Sequence, residues 1–232
     1  MDYVTENDCS DPTVYASVCS RMDVRSYARY AAVNLYCNNT DWSEIANFTT
    51  TELTTITQTV TLTTGTNWFS PYVDIPLADL QTALAAATPN DAITIKSSSG
   101  NSVYTKRTHS WNTPASFVWN VLSKYDIIIA ADCEITLEGM PIDPSGDTIT
   151  ILGNGATTWL GFPFSESMTL DVAFAGIAKN NDKLKSATAN TTYSRGRWQN
   201  TSFTTLEPGQ GYLYTTAPNS PDRTFTYPTG AK

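Results

Sequence analysis

The sequence predicts a β-rich α+β protein with two tandem homologous small domains, 59–144 and 145–232, behind a β-rich N-terminal segment, 1–58. Each domain is expected to be a mostly antiparallel sheet or barrel with one short helix. Three observations predict this class. Short runs alternate apolar residues with threonine, as half-buried strands do, only one segment per domain has helical spacing, and a set of aromatic and apolar residues recurs about 90 residues further on.

Composition and charge narrow the classes of partner. The 232 residues are 41% hydrophobic and carry a net charge of −8. Acidic and basic residues number eight and three in 1–58, eight and four in 59–144, and six and seven in 145–232. Nucleic-acid binding requires a cationic face, so no nucleic-acid partner is expected. No run reaches the roughly 20 apolar residues of a membrane span, so no membrane insertion is expected.

The N-terminal segment gives the weakest structural signal. Residues 22–36 have apolar side chains at both helical and strand spacing, and we favour a strand. Residues 43–58 are rich in threonine, which disfavours a helix and predicts a strand or a linker. We expect the segment to be an anchor or a strand-rich cap, and a homo-oligomer, if one forms, to form through it.

The four cysteines permit two disulfides in three connectivities. They are Cys9, Cys19, Cys37 and Cys133. No pair has the CxxC spacing of a zinc or thioredoxin site. Cys9 and Cys19 would close a short loop, and this is the pairing that we favour; buried thiols are the alternative.

Local patterns predict the elements of each domain. In the first domain Val60 and Leu62 alternate with threonines, AITIKS and NSVYTK form a hairpin, and residues 125–144 form a long strand broken near Ala131. In the second domain LEPGQG suits a type II turn, with Pro208 at its second position.

One helix is predicted in each domain from apolar residues at i, i+4 and i+7. These residues are Leu80, Leu84 and Ala87 in the first domain, and Leu170, Phe174 and Ile177 in the second. Since the apolar stripe of each helix must be buried, each helix is expected to pack on a sheet.

The recurring residues indicate an internal duplication. The matched pairs include Trp68 and Trp159, Leu80 and Leu170, Tyr104 and Tyr193, Trp111 and Trp198, and Tyr125 and Tyr212. Because shared residues build a shared fold, we expect any specific function where the copies differ. These places are the loop at His109, the strand at Cys133, the LEPGQG turn and residues 1–58.

The motifs WLGFPFSESMTLDVAFAG, LKS, TYSRGRWQ and LEPGQGYLY resemble the tandem repeat of uncharacterised secreted and surface proteins of Bacteroidetes. In that repeat a GWNWIS or GWNWIG strand leads to a SLxxAL helix, an IKSQ strand end, a Tyr-Trp hairpin and a LEPGKGYM turn. The likeness covers roughly residues 59–228; the first copy has LSKYDI in place of the Pro-Gly turn, and the second has ATTW in place of GWNW. The resemblance implies an extracellular or cell-surface location and a non-catalytic role, and phages of gut Bacteroidetes could carry the same module.

No catalytic residue, metal site or cofactor is expected. His109 is the only histidine, so a histidine cluster for a metal is excluded, and its place beside a lysine and an arginine predicts a loop residue. Glu134 and Glu138 share a strand face and could form a carboxylate pair, but we favour solvated strand residues opposite buried Ile135 and Leu137.

The tryptophans give the candidate ligand contacts. Four of them recur at matched positions, which favours core or hairpin packing over stacking on a sugar. Trp42 and Trp119 do not recur, so they, with His109, are the candidate binding residues.

These features favour a non-catalytic extracellular or surface binding or adhesion module, directed at a glycan or a host surface. The alternatives are a fibre or decoration protein of a phage virion and an accessory domain of a secreted enzyme.

Overall fold

The computed structural model of the protein describes residues 54–199 and 201–228, apart from the side chain of Ser145. The predictions for residues 1–53, including the Cys9–Cys19 disulfide and the Trp42 contact, lie outside these residues. From Thr55 onward the described chain belongs to one compact unit. We refer to residues 55–144 as the first half and to residues 145–228 as the second half.

The first half holds eight strands and one helix. They are β1 (Ile56–Leu62), β2 (Gly65–Phe69), β3 (Val73–Asp74), α1 (Leu77–Ala87), β4 (Ile93–Lys96), β5 (Asn101–Thr105), β6 (Ser110–Asn112), β7 (Tyr125–Ile129) and β8 (Cys133–Pro141). The predicted break of the long strand is confirmed, because β7 and β8 belong to different sheets.

A short 3₁₀ turn, Pro144–Gly146, joins the two halves. The second half has nine strands and one helix in its described part. They are β9 (Ile149–Ile151), β10 (Thr157–Gly161), β11 (Met168–Thr169), α2 (Leu170–Ala173), β12 (Lys183–Lys185), β13 (Asn190–Ser194), β14 (Arg197–Trp198), β15 (Thr205–Leu206), β16 (Gly211–Thr215) and β17 (Arg223–Phe225). The predicted β-rich class is therefore confirmed.

Each half contains one five-stranded antiparallel sheet, and the two sheets have the same strand order. The order is β2-β7-β4-β5-β6 in the first half and β10-β16-β12-β13-β14 in the second. The sheets β1-β8-β3, β17-β9 and β11-β15 complete the described structure. None of these sheets closes on itself, so the barrel form of the prediction is wrong.

Each half also has its own apolar core. Leu80 and Leu84 of α1 are fully buried in the first core, and Leu170 and Phe174 are buried in the second. Burial of these side chains is the main driving force for covering each sheet. No α-helix of the described residues is long and apolar enough to cross a membrane.

The predicted helical stripe needs one correction in the first half. Ala87 is exposed, and the buried stripe instead runs through Leu80, Leu84 and Thr88. Thr88 lies four residues after Leu84, and its hydroxyl donates a hydrogen bond to the Leu84 carbonyl oxygen at 3.1 Å. The sequence pattern favours the apolar alanine, but the structure has the threonine at the inward position.

The helix of the second half is shorter than the sequence predicts. Only Leu170–Ala173 are α-helical, and Gly176 follows with a left-handed φ of 74°. A left-handed glycine of this kind is a common way to end a helix. Ile177, expected in the helical stripe, therefore packs against the core from the segment after the helix.

A buried polar network distinguishes the second core from the first. Asp182 is 0% exposed and its Oδ2 lies 2.8 Å from Nη2 of Arg223. The Tyr214 hydroxyl donates to the same carboxylate at 2.7 Å. The register of β12 with β16 matches that of β4 with β7, and this places Ile127 at the position of Tyr214.

Buried tyrosines predict a loss of stability at alkaline pH. Burial raises the pKa of Tyr125 and of Tyr212 to about 12, while an unfolded tyrosine titrates near 10. Above pH 10 the unfolded state therefore loses protons that the folded state keeps, and stability falls as pH rises. At pH 11 each of the two tyrosines should cost about 1.4 kcal/mol.

Denaturant unfolding at pH 8, 10 and 11, together with tyrosinate absorbance, measures this loss. Tyr125→Phe and Tyr212→Phe should each flatten the alkaline limb of the stability curve. An unfolding free energy that stays constant from pH 10 to pH 11 would contradict the prediction.

Candidate functional site

The two halves meet through reciprocal backbone hydrogen bonds. The amide of Ser70, just after β2, donates to the Gly209 carbonyl oxygen at 3.0 Å. The amide of Gly161, at the end of β10, donates to the Leu122 carbonyl oxygen at 2.8 Å. Ser70 and Gly161 occupy corresponding places in the two sheets, as do Gly209 and Leu122. Each half therefore offers the same pair of groups to the other, as in a two-fold contact.

Lys124 lies at the centre of this junction. Its side chain is 1% exposed, and its Nζ lies 4.2 Å from the ring centroid of Trp68 and 4.0 Å from that of Trp159. It also forms an ion pair with Asp126. Burial lowers the pKa of the Lys124 ammonium, while the hydrogen bond and the charge of Asp126 oppose this change. The two indole faces and the carboxylate together stabilise a cation removed from water.

Gly211 makes room for the stem of that lysine. A Cβ at Gly211 would lie 2.5 Å from Cγ of Lys124 and 2.9 Å from the Phe69 carbonyl oxygen. The backbone of the second half therefore approaches the first half more closely than any larger residue would permit.

Two further lysines repeat the reciprocal pattern. Nζ of Lys185 lies 5.6 Å from the Trp68 ring centroid, and Nζ of Lys96 lies 5.9 Å from that of Trp159. Lys96 ends β4 and Lys185 ends β12, so each lysine reaches the tryptophan of the opposite half. The junction thus has an aromatic and cationic surface, with Lys96 and Lys185 exposed.

A cleft of about 320 Å³ opens beside Trp68. Its walls are residues 60–63 and 66–69 of the first half and residues 187–188 and 209–210 of the second. Trp68 is half-buried there. The remaining lining is rich in hydroxyl and amide groups, so the cleft combines one aromatic face with several hydrogen-bonding groups.

The LEPGQG turn shapes this cleft. Gln210 N donates to the Glu207 carbonyl oxygen at 3.2 Å, and Gly209 has a φ of 77°, as the predicted type II turn requires. Gly209 has no side chain, whereas Leu122, at the corresponding place of the first half, has a buried one. Gly209 and Gln210 of this turn both line the cleft.

Gln58 supports the same wall from inside the fold. It is 0% exposed, and its amide nitrogen donates to the Ser70 carbonyl oxygen at 3.1 Å while its oxygen accepts from the Tyr72 amide at 2.9 Å. These bonds fix the chain directly after β2. The Gln58 amide group takes the place of a neighbouring strand here, because it pairs with one backbone donor and one backbone acceptor.

His109 lies away from this cleft. It is an exposed residue of the turn between β5 and β6, as predicted, with a left-handed φ of 48°. Its Nδ1 lies 3.2 Å from the Tyr104 hydroxyl oxygen. The ligand contact proposed for His109 stays a prediction.

Trp119 is also outside the cleft lining. It lies half-buried between β6 and β7, and its Nε1 donates to the Ile75 carbonyl oxygen at 2.9 Å. Its ring stacks on Tyr125 with centroids 4.4 Å apart. The structure uses these groups for packing, and a ligand contact at Trp119 stays a prediction.

The recurring tryptophans divide into two kinds. Trp111 and Trp198 pack on the hairpin tyrosines Tyr104 and Tyr193, with centroid distances of 5.4 and 5.3 Å. This confirms the predicted hairpin packing for that pair. Trp68 and Trp159 instead flank Lys124. The LKS and IKS motifs repeat one lysine of this cluster, whereas the second half has Gly211 at the place that corresponds to Lys124.

The carboxylates of β8 have the environment of surface residues. Glu134 and Glu138 are exposed, and Ile135 and Leu137 are buried on the other face, as predicted. Among residues 54–199 and 201–228, no group of three or more histidine, cysteine or acidic side chains is placed to hold a metal ion.

Cys133 is the free cysteine of the described chain. It is half-buried at the start of β8, and partial burial together with the charge of Asp132 raises the pKa of its thiol. A raised pKa disfavours the reactive thiolate.

No protein-family model, curated protein or solved structure matches this chain.

Proposed function

We propose that the protein is a non-catalytic extracellular or cell-surface module that binds a glycan in the cleft beside Trp68. The observation that carries the proposal is the half-buried indole of Trp68 in a cleft lined by hydroxyl and amide groups. Sugar rings have apolar faces that pack on aromatic rings and hydroxyls that need hydrogen-bond partners. A site of this composition offers both.

The proposal includes two homologous domains that share the junction. Three findings support it: the recurring residues, the equal strand order of the two sheets, and the reciprocal hydrogen bonds of Ser70 and Gly161. In this view a duplicated fold supplied the two-fold contact. The Pro-Gly turn of one copy then left space for a ligand.

Trp68→Ala is expected to weaken glycan binding by about tenfold or more, since it removes the aromatic wall of the cleft. Trp159→Ala is the matched control. It removes the same kind of contact with Lys124, but Trp159 does not line the cleft. A glycan array identifies the ligand, and calorimetric titration of both variants measures the loss.

Retention of affinity in Trp68→Ala, or an equal loss in both variants, would place the binding site elsewhere. A monodisperse protein that binds no member of a broad array would contradict the glycan proposal itself.

A further inference from the structure

We infer that the cleft beside Trp68 selects an anionic saccharide, whose carboxylate or sulfate pairs with the ammonium of Lys185. The inference rests on the proposed glycan-binding function and names the chemical class of the ligand. Two observations carry it: the position of Lys185 relative to Trp68, and the lack of an acidic partner for Lys185 among the described residues.

The two exposed lysines differ in what lies across from them. In the first sheet Lys96 is paired in register with Asp126, which also forms the ion pair with Lys124. In the second sheet the residues opposite Lys185 are Leu213 on β16 and Asn190 on β13. The strand pairing therefore places a carboxylate opposite Lys96 and no acidic residue opposite Lys185.

Lys185 forms no ion pair within the part of the chain that the structure describes. Its ammonium is exposed, and Lys124 and Asp126 already neutralise each other in the buried centre of the junction. Lys96 adds a second exposed cation nearby. The β1 wall of the cleft is bordered by two acidic residues instead, Glu134 opposite Thr61 and Asp132 bonded to Thr64, so the Lys185 cation lies on the side of the second half.

The position of Lys185 suits recognition of a charged substituent. Its Nζ lies 5.6 Å from the centroid of the Trp68 ring, and that ring is a wall of the cleft. Lys185 is not itself a lining residue of the cleft, so we expect its ammonium to meet a charged substituent at the edge of a sugar stacked on Trp68. Thr188 and Gln210, from the same half as Lys185, line the opposite wall and can bind the sugar hydroxyls.

Calorimetric titration of the full chain with matched saccharides tests the inference. The probes are galacturonic acid oligosaccharides, the same oligosaccharides with methyl-esterified carboxylates, and a sulfated oligosaccharide of similar length. We expect the acid form, the sulfated form or both to bind about tenfold more tightly than the neutral ester. We also expect the preference to shrink as salt rises.

Lys185→Gln should lower the affinity for the anionic probe about five- to tenfold and leave the affinity for the neutral ester unchanged. Lys183→Gln is the control, because Lys183 is an exposed lysine two residues earlier on β12. It should change affinity by less than about twofold.

The outcomes separate the two proposals. Tighter binding of the acid or of the sulfated probe supports the inference and identifies the anion. Equal affinity for acid and ester, with no effect of Lys185→Gln, overturns the anionic class and leaves the glycan function standing. Loss of affinity in the Lys183 control as large as in Lys185→Gln overturns the assigned residue, and no binding of any saccharide overturns both proposals.

Discussion

Asp182→Ala is expected to lower the free energy of unfolding by about 3–5 kcal/mol, the usual cost of breaking a buried ion pair by removing one partner. The carboxylate is 0% exposed and pairs with Arg223 at 2.8 Å. It also accepts hydrogen bonds from the Ala217 amide at 3.0 Å and the Lys179 amide at 2.9 Å. Alanine leaves all of these groups without an acceptor in a buried place.

A double-mutant cycle distinguishes the ion pair from simple packing. Asp182→Ala combined with Arg223→Met should cost less than the sum of the two single substitutions, because no buried charge then lacks its partner. Glu166→Ala, at an exposed acidic residue of the same half, should change stability by less than about 0.5 kcal/mol. Denaturant unfolding measures all four variants, and a cost below about 1 kcal/mol for Asp182→Ala would contradict the network.

Gly161→Ala is expected to destabilise the protein by about 3 kcal/mol through the junction of the halves. A Cβ at this position would lie 2.8 Å from the Leu122 carbonyl carbon, 2.8 Å from the Ser123 oxygen and 2.7 Å from the Ser70 Oγ. Two of these atoms are backbone atoms, so the first half must shift to accommodate the methyl group. The shift would also stretch the hydrogen bond from the Gly161 amide to Leu122.

Gly146→Ala is the matched control for this substitution. A Cβ at Gly146 meets no atom within 4 Å, and the expected change is within about 0.5 kcal/mol. Equal stability of the Gly161→Ala and Gly146→Ala variants would show that the two halves are packed less closely at Gly161 than these distances indicate.

The elements that the sequence predicts correctly are those set by local patterns. Leu80 and Leu84 mark the inward face of α1, and Pro208-Gly209 sets a type II turn. The strands β4 and β5 pair as predicted, around a turn at residues 97–100. In each case the deciding residues are close together in the chain. The errors at Ala87 and in the length of α2 also have local causes, a buried threonine and a left-handed glycine.

The candidate site could not be predicted in this way because it depends on contacts between distant residues. Ser70 meets Gly209, and Lys124 packs between tryptophans of both halves. Nothing in the pattern around Lys124 indicates burial, since a lysine usually stays exposed. One of the places where the copies differ, the LEPGQG turn, lines the cleft, and the expectation that function lies at such places stays a prediction.

Amide hydrogen exchange of Ser70 and Gly161, read residue by residue by nuclear magnetic resonance, tests most directly whether the halves form one closed junction that shapes the cleft. Both amides are predicted to exchange as slowly as those of Ile127 and Leu184, which lie in the interior strands β7 and β12. Fast exchange at Ser70 and Gly161, with the two interior strands still protected, would show that the halves separate in solution and would contradict a preformed site between them.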